Sequence, residues 1–123
     1  MAVKNSGLDI TVAAAADLSA GQYRFIVHDA NGRGTFAGSG AGSAIGILQN
    51  KPSGTNAAAR VRYDGVSKMV AGAAITIGAF IQSNPQGFGT AAAGTGDRVR
   101  AQALMGCGGS GDLIDVMLVD FKN

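Results

Sequence analysis

The sequence predicts an all-β protein, a small barrel or sandwich of about nine short strands. Three observations lead to this fold class. The 20 glycines stand beside only 2 prolines, and glycine supplies the positive φ angles of tight turns at little steric cost. The 8 acidic residues are all aspartate, which favours turns and caps, whereas glutamate favours helices. Short segments with a two-residue alternation recur at nearly even spacing, and no segment keeps a helical period.

The second half of the chain resembles a degraded copy of the first. An alanine, an aliphatic residue, a hydroxyl residue, a glycine and an aromatic residue recur in the same order at 16–23 and 73–80, at an offset of 57. Further matches at offsets of 55 to 57 pair 34–35 with 89–90, 44–48 with 100–104, and 59–63 with 114–118. Residues 16–66 and 73–121 are therefore candidate copies of one β-unit. Chance matches among the abundant glycines and alanines are the alternative.

The first residues differ in character from the rest. Residues 1–11 form a short polar segment without a strong hydrophobic period. Terminal segments of this kind are loose unless something holds them. We therefore expect an extended N-terminal arm of residues 1–11, followed by a single β-domain of residues 12–123.

Inside the domain, alternation and turn residues place the strands. The first convincing strand is 22–29, where Tyr23, Phe25 and Val27 share one face. Asn31 and Gly32 then form a dipeptide typical of a tight hairpin turn. The remaining strands are expected at 34–37, 44–48, 58–64 with a continuation to 70, 75–81, 99–105 and 113–121.

The composition argues against several function classes. A net charge of +2 is too small to imply nucleic-acid binding on its own. One cysteine permits no internal disulfide. No apolar run is long enough to cross a bilayer, and the first eleven residues lack the apolar stretch of a secretory signal. We expect a soluble protein with no membrane partner, made in the cytoplasm of the cell that produces it.

The residues that most often carry catalysis are too few to form a catalytic site. His28 precedes Asp29 directly, and adjacent residues of a strand face opposite sides of the sheet. Cys107 lies in a glycine-rich loop, and no cation or base that could activate its thiol as a nucleophile adjoins it in the sequence. One cysteine and one histidine fall short of the usual four metal ligands. We therefore expect no enzyme, with no catalytic, cofactor-binding or metal-binding residue.

Two arginine pairs are the strongest candidate for a binding surface. Arg60 and Arg62, and likewise Arg98 and Arg100, are spaced by two, so each pair lies on one face of its strand. Such a row could hold an acidic surface of a partner protein. The alternatives are a solvated outer face and a nucleic-acid site, although no base-stacking aromatics are interleaved with these arginines.

Four phrases of the sequence resemble a known family. They follow in order as DLSAGQYRF at 17–25, AIGILQNKP at 44–52, GVSKMVAGAAI at 65–75 and GDLIDV at 111–116. Together they make the chain similar to the small capsid decoration (cement) proteins of tailed bacteriophages and prophages. The likeness spans about residues 8–119.

The resemblance implies a β-rich virion protein, made in the host bacterial cytoplasm and attached to the capsid exterior at capsomer junctions. There it would bind the major capsid protein, stabilise the expanded head and associate with itself, as a homotrimer or a dimer. Contacts would come from the arm, an exposed Lys-Pro turn and the arginine pairs. The candidates are Val3, Lys4, Leu8, Ile10, Lys51, Pro52, Arg60, Arg62, Arg98 and Arg100. A small-ligand-binding or nucleic-acid-binding β-barrel is the alternative function.

Overall fold

The computed structural model of the chain describes residues 7–36, 44–92, 94 and 96–122. It confirms the all-β prediction: nine strands form one antiparallel sheet, curled into a half-barrel, and no α-helix occurs among the described residues. The strands are β1 Gly7–Ala13, β2 Phe25–His28, β3 Gly34–Phe36, β4 Gly46–Leu48, β5 Ala58–Val70, β6 Phe80–Ser83, β7 Gly89–Ala91, β8 Arg98–Ala103 and β9 Leu113–Lys122.

The structure adds strand β7, Gly89–Ala91, which the sequence-based assignment does not contain, and it differs from that assignment at two further places. Residues 7–11, expected within the loose arm, belong to β1, which pairs with β5 from Gly7↔Gly65 to Ala13↔Ala58. The expected strand at 75–81 forms only from Phe80 onward, because Gly78 has a φ of +83° and interrupts the extended backbone. Before that break, Ile75 makes only an isolated bridge to Cys107.

The sheet contains two units with the same strand order. Unit 1, residues 7–64, has the order β3-β2-β4-β5-β1, and unit 2, residues 65–122, has the order β7-β6-β8-β9-β5. The 13-residue strand β5 therefore serves both units. Its residues 58–65 pair with β1, and its residues 65–70 pair with β9. The domain and repeat boundaries taken from the sequence stay predictions.

Backbone hydrogen bonds recur in the two units at a constant spacing. From residue 23 onward, a contact in unit 1 has its counterpart 55 positions later in unit 2. The paired bonds are Asp29 N–Arg33 O with Asn84 N–Phe88 O, Leu48 N–Arg24 O with Ala103 N–Ala79 O, and Gln49 N–Arg60 O with Leu104 N–Asp115 O. The structural counterpart of 44–48 is therefore 99–103, one residue away from the match made on the sequence.

Before residue 23 the offset is 57. It falls to 55 because the connection 14–23 of unit 1 has two more residues than the equivalent connection 71–78 of unit 2. The parallel bridge Ala14↔Gly34 has its counterpart in Ala71↔Gly89. The extra residues lie where unit 1 forms a 3₁₀ turn, Ser19–Gly21. Left-handed residues occur at matching places in both units, at Tyr23 and Gly78, Gly32 and Gly87, and Asn56 and Gly111.

The core shows that unit 1 packs into unit 2. One face of the unit 1 sheet carries Ile26, Leu48 and Val61, which pack within unit 1. The other face carries Phe25 and Ile47, which join the core residues of unit 2. Those core residues are Met69, Ala71, Ile75, Ile81, Ala101, Ala103, Ile114, Val116 and Leu118. Strands β2 and β4 of unit 1 are therefore buried on both faces, and each large apolar side chain so buried contributes about 1.5–3 kcal/mol.

Candidate partner-binding surfaces

The outer face of unit 2 exposes the counterparts of residues that unit 1 buries. Phe25 and Ile47 are fully buried, because unit 2 packs against their face of the sheet. Their counterparts, 55 positions later, are Phe80, which is exposed, and Gln102, which is half-buried. Phe80 is 41% exposed and Met117 is 39% exposed. Both pair with Gln102 across neighbouring strands, so the three side chains share one face.

Phe121 completes this patch. Its ring meets the Phe80 ring edge to face, with 5.1 Å between centroids and an interplanar angle of 89°, yet it remains 39% exposed. We call Phe80, Gln102, Met117 and Phe121 the outer apolar face. Sequence reasoning missed this face, although Phe80 follows Phe25 by the repeat offset and Met117 and Phe121 alternate along β9. Exposed apolar patches of this kind mark interaction surfaces in many proteins.

The arginine pairs each meet one aspartate. In unit 1, Arg60 Nε lies 3.2 Å from Asp9 Oδ2 and Arg62 Nε lies 2.8 Å from Asp9 Oδ1. A second Arg62 donor, Nη1, bonds the Val66 carbonyl oxygen at 2.9 Å. We call Asp9, Arg60 and Arg62 the Asp9 cluster. The two-residue spacing thus brings each arginine of the pair to one carboxylate of β1, a partner that sequence reasoning did not identify.

In unit 2 the same composition recurs on β8 and β9. Arg98 Nε lies 2.5 Å and Arg100 Nη1 lies 3.0 Å from Asp120 Oδ1. We call these three residues the Asp120 cluster. Each cluster sets two guanidinium groups against one carboxylate, so the two together carry a charge equal to the chain's net +2.

The close contact in the Asp120 cluster shifts both ionisations. The hydrogen bond from Arg98 holds the pKa of Asp120 below its ordinary value of 3.8, and the charges of both arginines act in the same direction. The same hydrogen bond raises the pKa of Arg98. Both groups therefore remain charged across the neutral range, and the cluster keeps an excess of one positive charge.

A groove of about 620 Å³ lies between the two units. Its apolar side comes from unit 1 and its charged side is the Asp120 cluster. The lining residues are Ile10, Ala44, Ile45, Tyr63, Arg98, Arg100 and Asp120. Arg100 is 7% exposed, and its Nε has no hydrogen-bond partner among the described residues. Tyr63 and Ile10, at 42% and 39% exposed, leave the groove open to solvent.

The other predicted contact residues are scattered. Leu8 is 55% exposed on β1, and Lys51 is exposed, but its neighbour Pro52 is buried and accepts the Leu18 N–H at 2.9 Å. Val3 and Lys4 lie outside the described residues. The structure therefore brings Ile10, Arg98 and Arg100 together in the groove and leaves Lys51 apart from it.

The reactive side chains make ordinary structural contacts. His28 is exposed at the end of β2, with Nδ1 3.1 Å from the Gly32 carbonyl oxygen. Cys107 is half-buried, and its Sγ lies 3.5 Å from the Ala73 carbonyl oxygen. Among the described residues, no three His, Cys, Asp or Glu side chains form a group suited to a metal ion. In that same part of the chain, no helix has the length and hydropathy that a membrane crossing requires.

Comparison with known proteins shows a shared fold. The chain is similar to the N base of the head fiber protein gp8.5 in bacteriophage phi29, at a TM-score of 0.70 and 12% sequence identity. The similarity covers 94% of this chain and 97% of that one. No protein-family model matches the sequence, and neither does any curated protein.

Proposed function

We propose that this chain is a structural protein of a bacteriophage virion, which binds the outer surface of the head at capsomer junctions and stabilises the expanded head. The observation that carries the proposal is the fold, shared over nearly its whole length with the base of a phage head fiber. The resemblance of four sequence phrases to capsid decoration proteins supports the same role from different data. We propose further that the chain performs no catalysis.

The surfaces support binding to a large protein partner. The outer apolar face offers two aromatic rings and a methionine beside a glutamine amide, a mixture typical of protein interfaces. Attachment of many copies to one shell needs little affinity per copy, because neighbouring contacts raise the effective concentration of each. Self-association as a homotrimer, with a dimer as the alternative, would add such contacts.

Stabilisation of the head follows if the protein binds the expanded shell and not its precursor. A ligand that binds one state alone favours that state by mass action, by about 2.7 kcal/mol per site at a free concentration one hundred times Kd. Preference for one geometry is the expected property of a protein that contacts two or more capsomers at once, because their spacing changes when the shell expands.

Sedimentation of the purified protein with phage heads tests the proposal. Expanded heads that lack the protein are mixed with it and centrifuged through a gradient, with unexpanded heads as the control. We expect the protein to sediment with expanded heads and to raise the temperature at which those heads disrupt. If it stays at the top of the gradient with expanded heads of its own phage, the proposed function is wrong.

A further inference from the structure

We propose that the groove between the two units binds an extended, acidic peptide segment of the partner protein. This rests on the proposed function, in which that partner is the major capsid protein, and it assigns the chemistry of the segment that the chain grips. The groove offers a charged side and an apolar side that together suit a peptide with carboxylate and aliphatic side chains.

The charged side has more donors than its own carboxylate can use. Asp120 Oδ1 accepts from both Arg98 and Arg100, and the Arg98 side chain stays 38% exposed. Arginine carries five donors in a planar fork, which matches a second carboxylate in a bidentate arrangement. The cluster's excess of one positive charge is thus available to a single acidic side chain.

Arg100 supplies an independent observation. It is buried, yet its Nε has no hydrogen-bond partner among the described residues, although its Nη1 lies 3.0 Å from Asp120 Oδ1 and 3.5 Å from the Val119 carbonyl oxygen. A buried donor without a partner is costly, so such groups are rare and call for a specific explanation. A carboxylate in the groove would draw the guanidinium toward it and improve the hydrogen bonding of this side chain.

The opposite side favours a peptide over a nucleic acid. Ile10, Ala44 and Ile45 are aliphatic, and among the described lining residues Tyr63 alone is aromatic. Single-stranded nucleic acids bind through several stacked aromatics beside a strongly basic track. A peptide needs one carboxylate for the arginines and apolar side chains for the isoleucines, whereas the cluster's single excess positive charge is too small for the run of phosphates in an oligonucleotide.

Peptide binding to the full chain tests this proposal. Overlapping labelled peptides that tile the major capsid protein are titrated by fluorescence anisotropy, and each is also made with Asp and Glu replaced by Asn and Gln. We expect acidic peptides to bind and their amide versions to lose binding. Arg98→Gln should weaken binding about tenfold, the loss expected for one charge-assisted hydrogen bond.

Lys68→Gln is the matched control. It removes the same charge and likewise breaks a pair with an aspartate, but Lys68 does not line the groove and is not one of the candidate contact residues. Its effect on peptide affinity should therefore be small. Equal weakening by the two variants would contradict the proposal, and so would equal binding of acidic peptides and their amide versions. Tighter binding of an oligonucleotide, abolished by Arg98→Gln, would reassign the groove to nucleic acid.

Head sedimentation separates failure of this inference from failure of the proposed function. If the wild-type chain sediments with expanded heads but Arg98→Gln does so with unchanged occupancy, the groove inference is wrong and the virion role stands. If the wild-type chain does not sediment with expanded heads, the virion role itself fails, whatever the peptides do.

Discussion

At the scale of single residues, the sequence predicted the arginine pairs but not the aspartates that form ion pairs with them. The two-residue spacing of the arginines was enough to predict that each pair shares a face. It could not identify Asp9 or Asp120 as their partners, because those carboxylates belong to other strands, 51 to 53 positions away for Asp9 and 20 to 22 for Asp120. Contacts between strands depend on register, which a single sequence specifies only weakly.

Acid is expected to weaken the Asp120 cluster. The pKa of Asp120 is lowered in the folded chain, chiefly by the hydrogen bond from Arg98. Stability from this carboxylate is therefore fully present above the unfolded value of about 3.9 and is lost as the pH falls through the lower folded value. As the pH is lowered from about 5 to about 2, the Tm of Asp120→Asn should decrease less than the Tm of the wild type. Thermal unfolding by circular dichroism measures this.

The control for that experiment is an aspartate without an arginine partner. Asp112 is exposed and is in no ion pair of the described structure. Asp112→Asn should leave the pH dependence of Tm close to that of the wild type. If Asp120→Asn follows the wild-type curve as well, the pair contributes nothing to acid stability.

At the scale of elements, the equivalent hairpins of the two units are closed by the same hydrogen bonds, made by an aspartate in unit 1 and an asparagine in unit 2. Asp29 Oδ1 accepts the N–H groups of Asn31 and Arg33, both at 2.9 Å. Asn84 Oδ1 accepts those of Gln86 and Phe88, at 2.9 and 3.0 Å. The oxygen at this position, and not its charge, therefore closes both hairpins, since side-chain oxygens of this kind replace missing backbone partners in turns.

Removal of that oxygen should destabilise either hairpin. Asn84→Ala and Asp29→Ala are each expected to cost about 1–2 kcal/mol of unfolding free energy, because backbone N–H groups lose their acceptor. Asp29→Asn is the matched control and should cost much less, because asparagine already performs this role in unit 2. Urea denaturation gives the three values. A cost for Asp29→Asn equal to that of Asp29→Ala would show that charge is essential.

The strands that were predicted correctly are those whose signals are local. The Asn31-Gly32 turn and the alternation around Phe25 placed β2 and β3 within a few residues. The strand β1 was missed because it is held by β5, about fifty positions later in the chain. The break before Phe80 was missed because the left-handed φ of Gly78 does not show in the hydrophobic pattern.

At the scale of the whole molecule, the two units bury equivalent residues unequally. Phe25 is fully buried between the units, and its counterpart Phe80 is 41% exposed on the outer apolar face. The sequence indicated that the halves are related, but it could not indicate that unit 1 packs into unit 2. That arrangement depends on the curl of the sheet, which the strand pattern does not contain.

The matched phenylalanines give a test of this asymmetry. Phe25→Ala should cost about 3–5 kcal/mol of unfolding free energy, as large core truncations do. Phe80→Ala should cost about 1 kcal/mol, mainly through the lost edge contact with Phe121. Under the proposed function, Phe80→Ala should also reduce occupancy on expanded heads, measured by sedimentation of the folded variant. Equal stability losses would mean that the outer apolar face is as well packed as the core.

The sharing of β5 has a mechanical consequence. One continuous strand supplies the last strand of the first unit and the first strand of the second, so a pull along it loads both hydrogen-bonded ladders at once. Neither unit can lose its strands without also losing part of the pairing of β5, on which the other unit depends. Under tension the molecule should therefore yield as one body, in a single event.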